Sequence, residues 1–163
     1  MRYKGALYRA LNPRYAKEPL SGAGAEKYGG RFNRIGRATL YTALKPEHAL
    51  REANQIGALQ PTTLVSYQAN LDPVFDATDV RAMKKYSMSP SLLSSEDWRD
   101  NMLVGRTVPT HDFAECLIAD GYVGMLVPSY AKANADGVNL VLWEWSGHLR
   151  LVDDEGRLTR RGS

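Results

Sequence analysis

The last third of the chain most narrows what it can become. Residues 122–127, 138–145 and 148–152 are rich in β-branched and aromatic side chains and are separated by Pro, Gly and Asn, a composition suited to strands joined by tight breaks. Upstream, residues 3–10, 38–42 and the stretch from Thr62 through Tyr67 also read as strands. Helices are predicted from Pro46 to a stop at Gly57, over 79–86, from the acidic start Ser95-Glu96-Asp97-Trp98, and from a Thr110 cap through Phe113, Leu117 and Ile118 to Gly121. Strands and helices mix without regular βαβ alternation, so the expected class is α+β, with mixed sheets and several helices. At 163 residues, 44% of them hydrophobic, the chain is expected to be a single domain over 1–163 that buries its own core. The serine-rich run 87–95 reads as a surface connection.

Cys116 is the only cysteine, so neither a disulfide framework nor a cysteine-based zinc site can form within one chain. His48, His111 and His148 form no recognised ligand pair, and no metal is expected. The N-terminus lacks a sustained apolar segment, and no stretch approaches the roughly 18 apolar residues of a membrane span. The expectation is a soluble, cytoplasmic protein with no membrane partner.

Charge is unevenly placed. Residues 1–60 carry 11 basic and 4 acidic side chains, whereas residues 61–163 carry 10 basic and 14 acidic. A loop over 12–30, with Pro13, Pro19 and four glycines, is long enough to be functional or mobile. It runs into Gly29-Gly30-Arg31-Phe32-Asn33-Arg34-Ile35-Gly36-Arg37, where glycines permit close backbone approach to a ligand and guanidinium groups fork onto phosphate oxygens. A solvated loop with surface arginines has the same composition. The P-loop, GxSxG, HExxH and GxGxxG signatures are absent.

Gly-Gly-Arg-Phe-Asn at 29–33, Gly36, Leu-Tyr-x-Ala at 40–43, Glu52 in a following helix, Pro128-Ser129 and Asn139-Leu140-Val141 together resemble the RES domain of bacterial toxin–antitoxin systems. The family takes its name from an Arg, a Glu and a Ser, which fall on Arg31, Glu52 and Ser129. The set looks closest to the ParT-like branch. The resemblance implies a fold similar to the ADP-ribosyltransferase toxins and cleavage of the nicotinamide–ribose bond of NAD⁺, used as co-substrate. Such a reaction passes through an oxocarbenium-like transition state, so Glu52 would be the catalytic carboxylate. Arg31 would hold the phosphate or carboxamide end of the nucleotide. Tyr41 would stack on nicotinamide, or is simply a half-buried strand tyrosine. Ser129 would bind ligand, though a serine in such a loop is ordinarily a turn residue. Phe32, Asn33 and Asn139 join the NAD-binding set, and His48, one turn before Glu52, would orient that carboxylate or face the pocket. The anion expected beside the basic segment is then the dinucleotide diphosphate.

The resemblance further implies a cognate antitoxin with an Xre-like DNA-binding domain that occludes the site, and no direct nucleic-acid contact. The ADP-ribose acceptor it implies for the ParT-like branch is a protein, phosphoribosyl pyrophosphate synthetase. Hydrolysis or phosphorolysis of NAD⁺ is the alternative. From a different class, Tyr3, Tyr8, Tyr15, Tyr28 and Phe32 among the basic residues would suit an RNA-binding or RNA-cleaving toxin.

Overall fold

A computed structural model describes residues 1–54, 59–130 and 136–158. Its first half runs β1 (Tyr3–Leu11), α1 (Ala23–Tyr28), β2 (Leu40–Ala43), α2 (Pro46–Ala53), β3 (Thr63–Leu71) and β4 (Val74–Asp76). Four short helices follow, α3 (Val80–Lys84), α4 (Pro90–Ser94), α5 (Trp98–Leu103) and α6 (Pro109–Ala119). Three strands close the chain, β5 (Gly124–Pro128), β6 (Val138–Leu142) and β7 (Leu149–Leu151). All these strands join one sheet in the order β4-β5-β6-β2-β1-β3-β7, antiparallel throughout except for the parallel β4–β5 pair. The fold is α+β, as the irregular order of predicted elements required.

Period-two alternation gives the sheet two apolar faces, and each gathers its own core. On one face Met125 and Val127 of β5 and Val141 of β6 pack against Met83, Leu93, Phe113 and Leu117 from the helices. On the other, Leu140 and Leu142 of β6 join Leu7 of β1, Leu40 of β2, and Val65, Tyr67 and Leu71 of β3. Each fully buried leucine contributes about 1.5–3 kcal/mol. The seam between β1 and β2 is paired only at Tyr8 and Ala43, and α2 packs there against β1 and β2. Pro46 starts α2 where its missing N–H loses nothing.

Several expectations need correction. The predicted loop over 12–30 contains α1, a six-residue helix that buries nothing and therefore leaves no apolar period in the sequence. Its N-terminal part is tied down: the Tyr67 hydroxyl donates to the Pro19 carbonyl at 2.6 Å and the Trp145 indole to Leu20 at 2.9 Å. The serine-rich run 87–95 is not a mere surface connection. Ser89 caps α4 by accepting from Leu92 N–H, and Leu93 inserts into the first core at 1% exposure. Thr110 does not cap α6, whose N-cap position is Val108; its hydroxyl bonds to the Arg31 carbonyl instead. β4 is a three-residue strand too short to stand out in the sequence. The helix beginning at Pro46 closes at Ala53, and the stop predicted at Gly57 lies outside the described residues.

Candidate functional site

The segment between α1 and β2 is held by Asn33. This residue is 1% exposed, and its amide Nδ2 donates to the carbonyls of Ala25, Arg34 and Arg37 at 2.8, 3.1 and 3.2 Å. Its Oδ1 accepts from the Tyr41 hydroxyl at 2.5 Å, and that hydroxyl in turn accepts the Phe32 N–H at 3.1 Å. A strand tyrosine thus fastens the loop that carries Arg31. Gly30 makes room for this, since a Cβ there would lie 2.5 Å from the Tyr41 hydroxyl.

The basic cluster divides. Arg34 and Arg37 both pair with Glu115 of α6, at 2.9 and 2.7 Å, and neither lines the main cleft. The expectation that neighbours of Arg31 would meet a diphosphate is corrected for these two, whose guanidinium groups serve the loop's attachment to α6. The Arg34 side chain is 63% exposed and Glu115 26%. Glu115→Gln is therefore expected to lower stability by less than about 1 kcal/mol, with the loss shrinking as salt rises. Urea unfolding at two salt concentrations checks this; a salt-independent loss above about 2 kcal/mol would contradict it.

Arg31 faces a cleft of about 490 Å³, within the range of small-molecule sites. Its guanidinium donates to the Ser95 carbonyl at 2.6 Å and lies 4.9 Å from the centre of the Tyr130 ring. Glu52 on α2 lines the same cleft. The Ser129 hydroxyl at the end of β5 and the Asn139 amide on β6 both donate to the same carboxylate oxygen, Oε1, Asn139 at 2.8 Å. Two strand ends thereby fix one carboxylate. A second cleft of about 290 Å³, between β1 and α2, shares Tyr41, Glu52 and Asn139 with the first, so the carboxylate stands where the two meet.

Burial pushes the Arg31 guanidinium below its usual value, opposed by Tyr130, Glu96, Tyr41 and Glu52, but an arginine keeps its charge at any physiological pH. Burial raises the Tyr41 hydroxyl well above the ordinary tyrosine value, against the Phe32 N–H and Arg31, which pull it down. The Tyr130 hydroxyl is pushed up to about 12 by burial, with Arg31 opposing. Both phenols stay neutral near pH 7 and supply rings and hydrogen bonds rather than a base.

Of the residues expected from sequence, Arg31, Phe32, Tyr41, Glu52 and Asn139 line the cleft, and Ser129 reaches it through Glu52. Asn33 does not line it, its amide being spent on the loop. His48 is half-buried on α2 and lines neither cleft. Glu96, Trp98, Arg99, Asp100 and Tyr130 also line the cleft and are not evident from sequence. The acidic helix start at 95–98 is visible there, but nothing local shows that it faces Glu52. Of the aromatics suggested for RNA binding, Phe32 is in the core at 3% exposure, while Tyr15 and Tyr28 are exposed at 69% and 68%. Among the described residues no group of His, Cys, Asp and Glu is placed to hold a metal, and no helix is long and apolar enough to cross a membrane.

Comparison with known proteins shows the family of the chain. The family model described as "RES domain" matches residues 6–161. A curated protein named "Toxin Res", from Yersinia enterocolitica serotype O:8 / biotype 1B, is 30% identical over 128 residues, covering 76% of this chain and 74% of that protein. Among solved structures, the crystal structure of the M. tuberculosis MbcT–MbcA toxin–antitoxin complex aligns with a TM-score of 0.65 at 18% identity, covering 94% of this chain and 84% of the matched one.

Proposed function

Because the chain belongs to the RES domain family, we propose that it is the toxin of a toxin–antitoxin pair, and that it cleaves the nicotinamide–ribose bond of NAD⁺ and transfers ADP-ribose to a protein. The observation that carries the reading is the Glu52 carboxylate, held through one oxygen by Ser129 and Asn139 in a cleft that also presents Arg31. Breaking an N-glycosidic bond builds positive charge on the ribose, and a carboxylate already oriented attracts that charge without reorganising during the reaction. The nicotinamide leaves with the bonding electron pair and becomes neutral, so no acid is needed to release it. Arg31 and Arg99 supply cationic charge for the diphosphate, and Trp98, Tyr130 and Tyr41 supply flat faces for the rings.

The partners follow from the same reading: an antitoxin with an Xre-like DNA-binding domain that covers the cleft, and a protein acceptor for which phosphoribosyl pyrophosphate synthetase is the candidate. Both are sought in the cytoplasm. The similar fold solved as a toxin–antitoxin complex supports an antitoxin partner as such. The test is to incubate the purified chain with NAD⁺ and a cell lysate and to follow free nicotinamide and labelled protein. Release together with labelling is expected. No release would remove the NAD⁺ reading, and release without labelling would make water or phosphate the acceptor.

A further inference from the structure

The first turn of α6 lies behind the cleft and is not used by the chemistry above. Thr110 and His111 are buried at 2% and 7% exposure, and consecutive carbonyls of the arginine loop end on them. The Thr110 hydroxyl donates to the Arg31 carbonyl at 2.5 Å, and His111 Nε2 stands 2.6 Å from the Gly30 carbonyl. A carbonyl oxygen only accepts, so His111 Nε2 carries the proton. The same ring is 6.4 Å from that of Trp98, which lines the cleft, whereas His111 itself does not. One turn further along α6, Glu115 holds Arg34 and Arg37 at the other end of the loop.

We infer that Thr110 and His111 are positioning residues for Arg31, and through it determine how tightly the anionic part of the substrate is held. The inference rests on the NAD⁺ reading above. The physical argument is one of leverage. A long arginine side chain finds a diphosphate with useful geometry only if its backbone is fixed, and the two peptides flanking its Cα are bonded on one side by Thr110 and His111 and on the other by Tyr41 and Asn33. Displacement of a binding group by about 1 Å can weaken function by about 10²-fold.

The experiment compares Thr110→Val, which removes the hydroxyl at nearly constant volume, His111→Leu, which removes the donor, and His111→Gln, which retains an N–H at similar reach. NAD⁺ affinity is measured by calorimetry, and KM and kcat by nicotinamide release. Thr110→Val and His111→Leu are each expected to raise Kd and KM about tenfold with kcat changed less than about threefold, and His111→Gln to recover most of the loss. In an Arg31→Ala background the same substitutions should add less than about a factor of two, because the residue they position is gone. Folded variants with parental affinity, or losses that multiply in full with Arg31→Ala, would overturn the inference. If His111→Leu does not fold, Thr110→Val and its cycle with Arg31→Ala decide between the two outcomes. Parental protein that binds no NAD⁺ would remove the NAD⁺ reading and this inference with it, whereas parental binding matched by the variants removes only the positioning role.

Discussion

Replacing Glu52 with glutamine is expected to slow nicotinamide release by about 10²–10³-fold while leaving the fold and most of the NAD⁺ affinity in place. The substitution is nearly isosteric, and a glutamine Oε1 still accepts from both Ser129 and Asn139, so the arrangement around it survives. Only the negative charge is lost. That charge has its largest effect when the ribose becomes cationic, and a neutral amide attracts the transition state hardly more than the ground state. The loss should therefore fall on kcat and on kcat/KM alike, with KM little moved. Ser129→Ala should act in the same direction but more weakly, because Asn139 would still hold the carboxylate oxygen. Single-turnover nicotinamide release, together with thermal unfolding of both variants, checks the pair. A Glu52→Gln protein that turns over at the parental rate would leave the carboxylate without a role in the chemistry.

What can be read in advance is local, and what cannot is a matter of which strand ends meet. Asp79 at the start of α3 accepts from Arg81 and Ala82 N–H as a capping residue should, and Val65 and Tyr67 alternate inward as β-spacing requires. Family resemblance singles out Glu52, Ser129 and Asn139, but their meeting on one carboxylate oxygen depends on β6 pairing with β2, the strand that leads into α2. That pairing spans about a hundred residues, and no local period announces it. Arg34 and Arg37 mislead for the same reason. Charge density along the chain records how many cations there are, not that Glu115, far along the sequence, neutralises two of them. Leu93 shows the converse, a core residue concealed in a serine-rich run because a five-residue helix is too short to display amphipathic spacing.

Two glycines in the same stretch should respond in opposite ways to alanine, and the contrast separates loop composition from loop architecture. At Gly30 a Cβ would sit 2.5 Å from the Tyr41 hydroxyl and 2.7 Å from Asn33 Oδ1. Neither atom can retreat cheaply: the tyrosine hydroxyl is bonded on one side to Phe32 N–H and on the other to Asn33, whose amide is already committed to three carbonyls. Gly30→Ala must break this arrangement or move the backbone, at about 1–3 kcal/mol, which for a chain of this size is a fall of roughly 3–10 °C in Tm. Because the displaced peptide is the one before Arg31, NAD⁺ affinity should fall about tenfold or more in the protein that remains folded. At Gly24, inside α1, a Cβ meets nothing within 4 Å. Gly24→Ala should leave Tm unchanged or raise it slightly, since alanine improves on glycine in a helix by up to about 1 kcal/mol and restricts the unfolded chain. Calorimetric unfolding of both variants, with NAD⁺ titration of each, makes the comparison. If Gly30→Ala behaved like Gly24→Ala, the Tyr41–Asn33 link would not be what holds the arginine loop, and the geometry assigned to Arg31 would lose its support.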